Sequence, residues 1–168
     1  MDFFFFRQGE IFLTNFMGYL RLPAKTKKKL QMNAHWEIND EEFESLFQKG
    51  LIPARIFTHE AHLRLAWIHI CKYGTENAVK NIDDQLSKYV DRNGAGNKYN
   101  KTLTVAAIMV VSHFINRHNR DSFSDFIKRF PGLKYNFKAL LARHYQRDIY
   151  HSEQAKKKYM EPDLLPFL

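Results

Sequence analysis

From Asn39 onward, apolar residues recur at helical spacing, and no stretch alternates as a half-buried strand would. Phe43, Leu46 and Phe47 share one face of a helix that Asn39 or Asp40 can cap and that exits at Gly50, with Pro53 marking the connection. Thr58 caps a second helix that reaches Tyr73 and stops at Gly74. Thr75 caps a third, whose stripe of Ala78, Val79, Ile82, Leu86, Tyr89 and Val90 ends at Gly94. A fourth helix runs from about Asn100 to His118. Ser122 opens a fifth with Phe123, Phe126, Ile127 and Phe130 on one side, and Pro131 and Gly132 break it. A helix over Asn136 to Asp148, a short one capped by Ser152 and an extended EPDLLPFL tail complete the series. The pattern predicts an all-α fold, an irregular multi-helix bundle with short connections.

Helical phase then decides which polar residues face inward. At about 100° per residue, Arg64, Ile68 and Lys72 mark the outer side of the second helix. His59, Ala66 and Ile70 lie opposite, with His62, Leu63 and Tyr73 beside them. Both imidazoles are therefore expected to be at least partly buried. On the fourth helix Arg117 and Arg120 point out, and Asn100, Thr104, Ala107, Val111 and Ile115 point in. Short turns between these helices imply an up, down, up arrangement, which brings the starts of the second and fourth together. The expectation is one polar pocket of His59, His62, Asn100 and Thr104, bordered by Tyr99 and Thr102, with Glu60 turned to the flank. Two helix N-termini at that end would favour an anion.

Three readings of this cluster stay open. The first has His, Asn and Thr capping helix ends and bonding to backbone. The second is a metal site in which His59 and His62 share a divalent ion, with a third ligand from Asn100, Glu161 or Asp163. The third is a small polar or anionic ligand held by the imidazoles and backbone N–H groups. HEAH is not the HExxH of metalloproteases, whose histidines stand four apart. The chain also lacks a phosphate-binding glycine loop, since GAG at Gly94 to Gly96 has the wrong surroundings, and it lacks a GxSxG elbow.

Composition narrows the class without naming a reaction. The 168 residues include 15 Phe, 8 Tyr and 2 Trp, enough aromatic volume for a rigid interior. The lone Cys71 cannot form an internal bridge, reads as an inert thiol and favours a cytoplasmic location. No apolar run approaches the roughly 18 residues of a membrane span, and the FFFF of Phe3 to Phe6 lacks the basic flank of a signal peptide. The net charge is +8. Arg7, Arg21, Lys25, Lys27, Lys28 and Lys29, against Asp2 and Glu10, put half of that excess into residues 1 to 31. This stretch also lacks helical periodicity, so it is read as an N-terminal appendage to a single helical domain over 32 to 168. Either Met32 is the true translation start, or the arm packs on the domain. Its KTKKK run makes nucleic acid or an anionic surface a further, lower-ranked partner. His113 and His118, late in the fourth helix, are read as structural cations at a helix C-terminus, and His144 with Arg143 and Arg147 as scattered charges.

The stretches FTHEAHLRLAW at Phe57 to Trp67, YNKTLT at Tyr99 to Thr104, LLARHY at Leu140 to Tyr145, SEQA at Ser152 to Ala155 and EPDLLPF at Glu161 to Phe167 resemble, in order and spacing, a family of small all-helical bacterial proteins. The likeness spans roughly Asp40 to Phe167. The family has no assigned activity to carry over. In its pattern the position of Asn100 is often histidine, which would complete a trio with His59 and His62; the amide here weakens a metal reading. The sequence thus points to a binding module for a small polar or anionic ligand at His59, His62, Tyr99, Asn100 and Thr104. The rival is a metal-dependent, hydrolase-like enzyme built on His59 and His62.

Overall fold

A computed structural model describes residues 33–117 and 122–167. Among these, eight helices and no strand form one bundle around a continuous apolar core, and no helix is long and apolar enough to cross a membrane. The fold is all-α. The proposed appendage, with its KTKKK run, lies outside the described residues, as do His118 and Arg120.

Helix α1, Asp40–Gln48, begins where the Asn39 side chain accepts from the Glu42 N–H at 2.8 Å. Helix α2, His59–Tyr73, is capped by Thr58 and ends at Gly74. Gly74 is the only residue between α2 and α3, Thr75–Arg92, and its φ of 78° is what reverses the chain in so little space. Helix α4, Lys101–Ile115, starts at Asn100. These three long helices pack on one another, with Thr75 Oγ1 meeting Ser112 Oγ at 2.6 Å, so the start of α3 lies against the end of α4. That hydroxyl bond, not an N-cap, is the role of Thr75; the cap position belongs to Gly74, which offers no side chain.

Around this trio pack α5, Phe123–Arg129, capped by Ser122; α6, Pro131–Tyr135; α7, Phe137–Leu141; and α8, Glu153–Lys157, capped by Ser152. Pro131 does break the fifth helix, yet it also opens α6, because its missing N–H costs nothing in a first turn. The helix expected over Asn136 to Asp148 stops at Leu141. Beyond it, the N–H groups of Gln146 and Arg147 are taken by the Asp163 carboxylate at 3.0 and 3.2 Å, so the tail replaces the helical ladder.

The outer side assigned to α2 is also corrected. Arg64 and Ile68 are buried, at 4% and 5% exposure, because α1 and the strap before it cover that side. The core beneath is aromatic: Phe47, Phe57 and Tyr89 meet with ring centroids 5.0 to 5.5 Å apart, and the Tyr89 hydroxyl donates to the Ile52 carbonyl. Each such ring contributes on the order of 2 kcal/mol by leaving water.

Candidate functional site

Every polar residue expected in the pocket has a traceable position, and the hydrogen bonds sort them into two groups. The first turn of α2 carries His59, Glu60 and His62. His59 Nε2 donates to the Leu133 carbonyl at 2.8 Å, and its ring lies 5.0 Å from Phe137. His62 Nδ1 donates to the Thr58 carbonyl at 2.6 Å, with its ring 3.9 Å from Phe57. A carbonyl can only accept, so each bond fixes a tautomer: the proton sits on Nε2 of His59 and on Nδ1 of His62. Both rings are half-buried. Burial pushes His62 well below the ordinary imidazole value, against the opposing bond to Thr58, and the neighbouring His59 lowers it further. His62 is therefore neutral at neutral pH.

Tyr99, Asn100 and Thr104 form the second group. The buried Asn100 amide is committed at both ends: Oδ1 accepts from the Leu103 N–H at 3.0 Å and Nδ2 donates to the Ile149 carbonyl at 2.8 Å. Thr104 donates to the Asn100 carbonyl at 2.9 Å, and Thr102 donates to the Lys158 carbonyl. The Tyr99 hydroxyl donates to Asp83, which also pairs with Lys101 at 2.7 Å; burial first, and then this carboxylate, keep the phenol protonated.

The two groups stand at different levels along α3. Tyr89 of α3 meets Phe57 at the entry to α2, whereas Tyr99 and Lys101 at the entry to α4 meet Asp83, six positions earlier on α3. Six helical residues span about 9 Å. The short helical turn Gly96–Lys98 links α3 to α4.

Charged residues missed by the sequence reading surround the α2 group. Glu60 does not merely flank it: its carboxylate pairs with Lys134 at 3.0 Å and lies 3.8 Å from the buried His35 ring. One turn on, Arg64 binds Asp40 through Nε at 2.7 Å and Nη2 at 2.6 Å, and donates to the carbonyls of His35 and Ile38. Further along, Glu44 of α1 takes Lys72 at 2.8 Å and lies 3.8 Å from the buried His69. Burial alone would raise the Glu44 carboxyl, but hydrogen bonds from Lys72 and Tyr73 hold it below its ordinary value. Ile68 carried the signal for this ladder: a helix apolar on the side of Arg64 as well as opposite it has no outer face there.

Among the described residues, no group of three or more His, Cys, Asp or Glu is placed to hold a metal ion. Asp163, one suggested third ligand, is bonded to Arg147 Nε at 3.1 Å and to two backbone N–H groups, and Glu161 is exposed on the tail. Cys71 is half-buried and in no disulfide among the described residues. Compared with protein-family models, curated proteins and solved structures, the chain matches none.

Proposed function

We propose that this protein is a binding module for a small polar ligand at the first turn of α2, which carries His59, His62 and the Glu60 that pairs with Lys134. The observation that carries this reading is the opposed tautomers of the two histidines. Each donates one N–H to a backbone carbonyl, His59 through Nε2 and His62 through Nδ1. These backbone partners orient both rings, as carbonyls behind functional histidines do.

Of the polar and anionic ligands that the sequence points to, this electrostatics favours the polar one. His62 is neutral and so supplies no positive charge, and Lys134, the cation that reaches this turn, is already paired with Glu60. Hydroxyl or amino groups fit that arrangement better than phosphate. Asn100 and Thr104 then serve as anchors for the start of α4, and Tyr99 as its tether to α3.

A thermal-shift panel containing ribose, ethanolamine, citrate and inorganic phosphate tests the proposal. A hydroxylated or amino compound should raise the melting temperature of the wild type. His59→Gln, which keeps an N–H for Leu133 but loses the ring lone pair, should abolish that rise. A panel without any shift, or a shift unaltered in His59→Gln, rejects the reading, and a shift confined to phosphate and citrate restores the anionic alternative.

A further inference from the structure

We propose that residues 33–39 form an acid-releasable strap across α2, held closed by the neutral imidazole of His35. This inference is independent of the ligand reading above, although opening the strap would uncover Glu60 in the same turn.

The strap is a short built object. Glu37 Oε1 accepts from the Asn33 and Ala34 N–H groups at 2.8 and 3.1 Å, which folds it on itself, and the Glu37 N–H donates to the Ala34 carbonyl. Arg64 reaches across from α2 to the carbonyls of His35 and Ile38. Only His35 and Ile38 of this segment are buried, and the partly exposed Trp36 stacks on Phe123 of α5 at 5.4 Å, so release exposes one imidazole and one aliphatic side chain and breaks that stack, while Phe43, Leu46 and Phe47 keep α1 seated.

His35 is the weak point of this closure. Its ring is 3% exposed, lies against Trp36 at 4.6 Å and Phe43 at 6.1 Å, and has no hydrogen-bond partner on either nitrogen. Nε2 stands 3.8 Å from Glu60 Oε2, beyond hydrogen-bond reach, and that carboxylate is already held by Lys134. The charged groups acting on the ring are thus Glu60 and Arg64 of α2 and Lys134 of α6, with Asp40 of α1 bound to Arg64. A proton added in place would sit without a dedicated acceptor beside two cations. In the open strap the ring is hydrated and takes that proton freely. Acid therefore favours opening.

The size of the effect follows from linkage. Burial, then the Arg64 charge, push the closed-state ring down to about 4 against the pull of Glu60, while an exposed histidine titrates near 6.5. Between pH 7 and pH 5 the opening equilibrium should rise roughly 25-fold.

Residue-resolved amide exchange on the full chain, corrected for intrinsic rates, reads this directly. Protection of the Glu37 N–H should fall roughly 25-fold from pH 7 to pH 5, while Leu65 in α2 and Ile108 in α4 keep theirs. His35→Gln should remove the pH dependence, and His35→Phe, which retains ring packing against Trp36, should do so with the strap still closed. Equal protection at both pH values overturns the proposal. So does a parallel loss at Leu65 and Ile108, or a loss that persists in both variants.

Discussion

Arg64 chelates a single oxygen of Asp40, with Nε at 2.7 Å and Nη2 at 2.6 Å, and the same guanidinium caps the carbonyls of His35 and Ile38. Its plane is also flanked by the rings of Phe43 and Trp36, at 4.9 and 5.4 Å. One side chain thus joins α1, α2 and the strap. Removing it in Arg64→Met keeps the alkyl stem but leaves two buried carbonyls without donors, so the expected loss is about 3 kcal/mol in urea unfolding. Asp40→Asn should cost under about 1 kcal/mol, because that carboxylate is 40% exposed and water screens it. Equal losses for the two variants would show that the ion pair, and not the carbonyl capping, dominates.

Asn100 offers a sharper discrimination, since its two amide ends do different work. Asn100→Ala removes both the cap on Leu103 and the bond to the Ile149 carbonyl, an expected loss of about 2 to 3 kcal/mol. Asn100→Asp retains the acceptor for Leu103 but turns a second oxygen toward the Ile149 carbonyl. It should therefore be destabilised at neutral pH and partly recover in acid, where a protonated carboxyl regains a donor. Denaturation at pH 7 and pH 4.5 checks the crossover; a variant as stable as wild type at pH 7 contradicts the assignment.

The tautomers of His59 and His62 are directly observable. Long-range proton–nitrogen spectra at pH 7 should show the Nε2–H form for His59 and the Nδ1–H form for His62. His62, lowered chiefly by burial, should stay neutral at pH 5. A His62 ring that titrates near 6.5 would mean that the ring is not buried against Phe57.

Sequence pattern reached the parts of this fold that local chemistry decides. Asn39, Thr58 and Ser152 cap as expected, and Asn100 and Ser122, read only as helix starts, cap as well, because an N-cap needs only a side-chain oxygen and the N–H three residues on. The inner stripe of α4, from Asn100 to Ile115, is buried for the same reason: its period is local. What escaped depends on distant partners. Arg64 looked external because a helical wheel assumes one outside, whereas α1 and the strap close over that side. Thr75 looked like a cap because nothing nearby announced Ser112. The α2 histidines were placed beside Asn100 by counting helices; their hydrogen bonds run to Leu133 and Thr58, and those of Asn100 to Leu103 and Ile149, partners that helix order does not announce. His35, Glu44 and His69 had no motif to reveal them.

His69 tests how a buried imidazole without hydrogen bonds behaves. Neither ring nitrogen has a hydrogen-bond partner, Glu44 stands 3.8 Å from Nε2, and Tyr73 packs edge-on at 5.4 Å. Burial lowers its proton affinity, outweighing the pull of Glu44. The folded state therefore excludes a proton that the unfolded chain accepts below about pH 6.5, so stability is lost as pH falls from there toward the folded value. His69→Phe should match or exceed wild-type stability at pH 7 and exceed it by a growing margin as pH drops. A margin independent of pH would remove His69 from the acid response.

Asp163 governs the segment in which a helix was expected and a turn was found. Its carboxylate accepts from the N–H groups of Gln146 and Arg147 and pairs with Arg147 Nε, and these partners together keep it ionised below its ordinary value despite the opposing effect of burial. The tail is further fixed by the Leu164 N–H on the His144 carbonyl, by the His144 ring on the Leu165 carbonyl and by Phe167 stacked on that ring at 4.2 Å. Asp163→Ala frees two N–H groups at once, so amide exchange at Gln146 and Arg147 should accelerate while α2 to α4 remain protected. Because a protonated carboxyl accepts these bonds more weakly, the wild type should approach the variant's behaviour only as pH falls through the lowered value of Asp163, below the ordinary aspartate range. If residues 142 to 148 instead gained helical chemical shifts in the variant, Asp163 would be the element that suppresses a helix the local sequence prefers, and the same measurement would show it.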